Sequence, residues 1–168
     1  MSSTPLTGGC QCGAVRYVLR GELLDPHICH RRMCQKATGN FFASLVGVRL
    51  DGIEWTRGTP AVYRSSTLAE RGFCPAVYRS STLAERGFCS ACGTSLSFRY
   101  LDGDIINVSI GSLDEPERVK PARQYGVESR LPWLEELIAL PHSRTEDDMP
   151  AEVLARKKNH QHPDYEDK

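Results

Sequence analysis

Three short cysteine clusters, far apart along the chain, constrain this sequence more than any other feature. They are Cys10 and Cys12 in "GGCQCGAVRY", Cys29 and Cys34 in "ICHRRMCQKATGN", and Cys89 and Cys92 in "RGFCSACGTSL". The first and last are bracketed by glycines, Gly9 and Gly13 in one, Gly87 and Gly93 in the other. Glycine-flanked CxC and CxxC turns are knuckles that swing backbone amides toward two thiolate sulfurs. Together they supply the four sulfurs of a closed tetrahedral zinc site, with Zn–S near 2.3 Å. The 76 residues between Cys12 and Cys89 far exceed the spacing inside a zinc ribbon, so such a metal ties distant strands together and its role is structural. A disulfide framework is the competing use of cysteine. The total of seven is odd, and "MSSTPLTGG" has neither a basic nor an apolar leader region, so a reducing, cytoplasmic setting is expected and metal or thiol chemistry leads.

The rest of the pattern is mainly β. In "AVRYVLR", Val15, Tyr17 and Leu19 alternate with Arg16, Val18 and Arg20, as in a half-buried strand. "FFASLVGVRL" reads similarly, "LSFRY" puts Leu96, Phe98 and Tyr100 on one face, and "DGD" at Asp102 to Asp104 turns the chain into a strand carrying Ile106, Val108 and Ile110. Helix is expected late: in "LPWLEELIAL", Trp133, Leu134, Leu137 and Ile138 share one helical face, read as core or lid. One domain over 1–143 followed by a charged, flexible tail over 144–168, with a short helix at Ala151 to Lys157, accounts for the chain. Lysine plus arginine equal aspartate plus glutamate at 21 each, which argues against nucleic acid or an anionic membrane as partner. No apolar run approaches the roughly 18 residues that span a bilayer. A small-molecule partner is expected.

The cysteine stretches, with the looser "INVSIGSLDEPE" and "PWLEEL", resemble the glutathione-dependent formaldehyde-activating enzyme (GFA) family, which also includes centromere protein V; the match covers most of Thr7 to His142. The resemblance implies a zinc-bound β-tent-like fold of several small antiparallel sheets with a short C-terminal helix. It also implies a carbon–sulfur lyase activity that joins formaldehyde and glutathione into S-hydroxymethylglutathione, or cleaves it. Carried over residue by residue, Cys10, Cys12, Cys89 and Cys92 are the structural zinc ligands. Cys29 and Cys34 are catalytic and are two of three ligands to a second zinc, whose third position is occupied by Arg31.

That departure removes one thiolate and sets a permanent positive charge beside the expected cation, so the second zinc is doubtful and the implied activity impaired. His30 or His27 is a substitute ligand on chemistry alone, although a solvated or hydrogen-bonded histidine is the simpler reading. His160 and His162 in the tail are read as solvated. Cys34 is placed at the start of a short helix, "CQKATG", closed by Gly39, and Arg32 and Lys36 are candidates for contacts to glutathione carboxylates. Two other classes stay open: a non-catalytic zinc-stabilised β domain that binds a partner, and a thiol redox protein using Cys29 and Cys34.

The segment "PAVYRSSTLAERGFC" occurs twice, at Pro60 to Cys74 and Pro75 to Cys89. Fifteen residues are too few for a solenoid unit, so one copy, 60–74 or 75–89, is a tandem-duplicated insertion. Only Cys89 has a CxxC partner. A bulged loop around Cys74 is expected, since loop length costs only about 0.6 kcal/mol per doubling.

Overall fold

A computed structural model of the protein describes residues 4–61, 77–81 and 83–164. It is mainly β, as the alternating stretches require. Strands β1 (Leu6–Gly9), β2 (Arg16–Leu19) and β5 (Ile53–Arg57) form a three-stranded antiparallel sheet in the order β1-β2-β5. A seven-stranded sheet is built from β3 (Leu24–Cys29), β4 (Ala43–Arg49), β6 (Val77–Ser81), β7 (Ala84–Phe88), β8 (Ser95–Tyr100), β9 (Ile105–Ser109) and β10 (Arg123–Tyr125). Its order is β10-β3-β4-β9-β8-β7-β6, antiparallel except at the edge, where β10 runs parallel to β3. Among the described residues no helix is long and apolar enough to cross a membrane.

The core joins the two sheets. Tyr17 and Leu19 of β2 pack with Val46 and Val48 of β4, Leu96 of β8, and Ile106 and Val108 of β9, each under a tenth exposed. Burying each of these side chains stabilises the fold by about 1.5–3 kcal/mol. Leu45, the neighbour of Val46, belongs to a second buried cluster with Cys29, Cys34 and Ala43. Successive strand residues point to opposite faces, so the large sheet carries the main core on one face and the Cys29–Cys34 pair on the other.

Arg16, expected on the solvent side of β2, is 3% exposed and donates to Asp114 Oδ1 at 2.9 Å. Its buried charge is satisfied by a carboxylate that also accepts from Thr7 Oγ1. Leu96 does not share a face with Phe98. The β7–β8 register slips between Gly87 and Phe88, pairing Gly87 with Ser97 but Phe88 with Ser95. Leu96 is the extra residue of this bulge and turns into the core, while Phe98 and Tyr100 line the opposite face.

The "LPWLEELIAL" stretch is a 3-10 segment, Leu134–Ala139, with no buried residue. The expected core or lid face is therefore absent there: Ile138 is 96% exposed, and Trp133 instead meets Phe41 edge-on with ring centroids 4.9 Å apart. The segment after 143 carries two short helices, Thr145–Asp148 and Ala151–Arg156. The backbone N–H of His162 then donates to Gln11 O at 2.8 Å, and its Nε2 accepts from Arg57 at 3.1 Å.

The second copy of the repeat supplies the hairpin β6–β7, which leads into Cys89. Val77 faces Gly87, so the next step of the antiparallel register is the place opposite Phe88. Ala61, from the first copy, fills it through a bridge with Phe88. Fifteen positions, 62 to 76, separate two residues that are neighbours in the register, one full repeat period. Cys74 and the loop expected around it lie outside the described residues.

Candidate metal centre and thiol cavity

The two knuckles are built alike. In the first, Gly13 N–H donates to Cys10 O and Cys10 N–H to Val15 O; in the second, Gly93 N–H donates to Cys89 O and Cys89 N–H to Thr94 O. Gly13 (φ +74°) and Gly93 (φ +77°) hold the left-handed conformation that closes each turn, one that side chains with a Cβ adopt at a cost. The knuckles are joined by Gln11 N–H donating to Thr94 Oγ1 at 3.1 Å.

This arrangement gathers the Sγ atoms of Cys10, Cys12, Cys89 and Cys92 within 4.8 Å of one another. Ligands about 2.3 Å from a tetrahedral centre lie roughly 3.8 Å apart. The Cys10–Cys12 and Cys12–Cys89 sulfurs are 3.6 and 3.8 Å apart, so the donor set fits a metal ion of that size. Burial, and then the Cys10 sulfur beside it, pushes the Cys89 thiol up to about 12, so a cation entering the cluster must displace that proton.

The other cysteine pair sits across the large sheet. Cys29 ends β3; the chain turns through His30 and Arg31 into α1 (Arg32–Thr38), closed by Gly39 in the left-handed conformation. The helix starts two residues earlier than expected, and the Cys34 N–H donates to Arg31 O within its first turn. The turn is pinned by His30 N–H donating to Tyr125 O and by Gln35 Nε2 donating to His30 O, both at 2.8 Å. Gly126 lies against Arg31, where a Cβ would stand 2.5 Å from Arg31 Cγ.

The Cys29 thiol donates to Cys34 Sγ at 3.2 Å, and Arg86 Nη2 donates to the same sulfur at 3.3 Å. Arg86 is 6% exposed, stacks over the Phe98 ring at 4.7 Å, and among the described residues its Nε finds no partner. The Cys29 thiol, then the Arg86 guanidinium, hold Cys34 down at about 6 against the burial that would raise it, and Arg31 adds to them. The contact with Cys34, together with burial, pushes Cys29 up. Arg86 thus favours the thiolate form at Cys34 over Cys29, and that charge would offset the buried guanidinium.

Both sulfurs border a cavity of about 690 Å³. Leu45, Phe98, Tyr100 and Tyr125 give it apolar walls, and Arg31, Arg86 and Asp25 add charge. Arg32 and Lys36 do not border it: both are exposed, and Arg32 donates to Gln35 Oε1 on its own helix. His27 borders the cavity but its Nδ1 is occupied by Asp25 O at 2.7 Å. His30 is fully buried with Nε2 on Gln124 Oε1 at 2.9 Å, its ring edge-on to Phe42. Among the described residues the four-cysteine cluster is the one metal-sized group of cysteine, histidine or acidic donors, and neither histidine joins Cys29 and Cys34 in another. Two sulfurs in mutual contact, one of them bonded to a guanidinium, do not fit a second metal in this chain.

The family model for glutathione-dependent formaldehyde-activating enzyme matches residues 5–129. The chain belongs to this family. No curated protein matches the chain significantly. A crystal structure of a Rhodobacter sphaeroides protein aligns at 23% identity over 70% of this chain and 98% of its own, with a TM-score of 0.49. The matched span of this GFA-family chain contains both knuckles, the Cys29–Cys34 pair and Arg86. Arg86 had no signal in the sequence: it stands in a repeated segment beside an identical Arg71, and Cys34 is 52 positions away.

Proposed function

We propose that the protein is a carbon–sulfur lyase acting on adducts of a small thiol and an aldehyde, of the S-hydroxymethylglutathione type, with zinc held by Cys10, Cys12, Cys89 and Cys92. Four thiolates at tetrahedral spacing favour zinc or iron among common metals, and zinc is the one the family implies. With all four positions taken by protein, this ion has a structural role, and the chemistry falls to the Cys29–Cys34 cavity.

The observation that carries the reading is the Cys34–Arg86 contact on the cavity wall, a thiolate stabilised by a buried guanidinium in a chain of this family. In cleavage, the adduct hydroxyl gives its proton to the Cys34 thiolate, a C=O bond forms, and the carbon–sulfur bond breaks. The bonding pair stays on the departing sulfur, which leaves as thiolate beside the Arg31 guanidinium; Cys34 then returns its proton to water. Synthesis is the reverse. Arg31 thus supplies, with one fixed charge, part of what a third cysteine and a second metal would supply together, and turnover is expected to be low.

The test is exchange between formaldehyde, glutathione and their adduct, followed by NMR with and without the protein. Acceleration over buffer, lost in Cys34→Ser with zinc content unchanged, supports the reading. A folded, one-metal protein that leaves the exchange rate at the buffer value overturns it and leaves a partner-binding zinc domain.

A further inference from the structure

We propose that Cys29 and Cys34 form a reversible disulfide by exchange with a low-molecular-weight disulfide, making the cavity a thiol–disulfide exchange site in addition to any lyase role. The inference does not depend on the lyase reading.

Three observations carry it. The sulfurs are already in contact at 3.2 Å, against about 2.05 Å in a disulfide, so closure requires a movement of little more than an ångström. The pair is held together by the pinned turn between β3 and α1, and both cysteines, buried beside Ala43 and Leu45, also line the cavity. Arg86, nine-tenths buried, donates to one sulfur only, so the two cysteines are chemically distinct: Cys34 attacks, and Cys29 resolves.

The step balances without further reagents. The Cys34 thiolate attacks one sulfur of a small disulfide, displacing a thiolate and leaving Cys34 in a mixed disulfide. Cys29 then loses its proton and attacks the Cys34 sulfur, displacing the second small thiolate. The two cysteine sulfurs are oxidised by two electrons, and the small disulfide is reduced to one thiol, which carries the Cys29 proton, and one thiolate. In this state Cys34 no longer offers Arg86 a thiolate.

Glutathione disulfide is the probe, added to the full-length protein as purified with its metal, followed by acid quench, alkylation and peptide mass mapping. The expected result is a Cys29–Cys34 crosslink reversed by reduced glutathione, with the four-cysteine cluster keeping its metal. In Cys29→Ser the crosslink is lost and a glutathione adduct persists on Cys34; in Cys34→Ser neither forms. Free Cys29 and Cys34 in the treated wild-type protein, or crosslinks confined to the four-cysteine cluster, overturn the proposal. Absence of the crosslink with adduct turnover intact removes this inference alone, and a crosslink without turnover removes the lyase reading alone.

Discussion

The same element, sulfur, is put to opposite uses in two parts of this molecule. At the knuckles, four sulfurs converge within 4.8 Å of one another, a donor set that a metal ion can hold once the thiol protons leave. At the cavity, two sulfurs meet with arginine on one of them, and the pair is neutralised from within by a guanidinium. On the proposed reading, a structural metal site and a reactive thiol pair differ in the number of sulfurs and the origin of the positive charge. Arg31 and Arg86 tip the second site toward thiol chemistry.

The sharpest way to break this comparison is to remove the metal. Metal binding in small zinc modules carries about 10–16 kcal/mol, comparable to the 5–15 kcal/mol total stability of a typical domain. Chelation, or Cys89→Ala, is expected to abolish the cooperative thermal transition seen by circular dichroism, whereas Cys29→Ala leaves it in place. A chelated protein that still melts cooperatively would refute the structural role of the knuckles.

Next in size is the buried ion pair beside the knuckle strands. Asp114→Ala leaves Arg16 charged at 3% exposure and is expected to cost about 3–5 kcal/mol in urea denaturation, without changing the reactivity of Cys34. A loss under about 1 kcal/mol would mean that Asp114 is not what keeps the Arg16 charge in the core.

A smaller effect belongs to the cavity. Alkylation needs the thiolate, so the rate at Cys34 is expected to rise with pH through a midpoint near 6, and Arg86→Met moves that midpoint up toward the ordinary cysteine value of about 8.5. An unmoved midpoint would show that Arg86 does not set the thiolate. The smallest effect concerns the repeat. Deleting residues 62 to 76 joins Ala61 to Val77 in register, and the expected change in stability is within about 1 kcal/mol, with metal content unaltered. Loss of the metal in this variant would show that residues 62 to 76 contribute to the fold.

Much of the architecture was legible in the chain. Val15, Tyr17 and Leu19 read as one buried face because strand alternation is a local property, and all three are buried. The four knuckle cysteines were legible because glycines at fixed offsets mark tight turns. The parts that were not legible depend on partners remote in sequence. Leu96 leaves the face of Phe98 through a register slip against β7, which alternation within β8 cannot encode. The apolar residues of "LPWLEELIAL" have helical spacing, but among the described residues Ile138 stays exposed. Arg86 looks like one more surface charge until the sheet places it on Cys34.

The central claim is that this chain has one metal centre and one metal-free thiol pair, divided by the residue at position 31. The direct measurement is metal bound per chain in the wild-type protein and in Arg31→Cys, purified side by side, with adduct turnover followed in the same samples. The account predicts one metal in the wild type and about one more in the variant, with faster turnover. Two metals in the wild type, or equal content in both proteins, would contradict it.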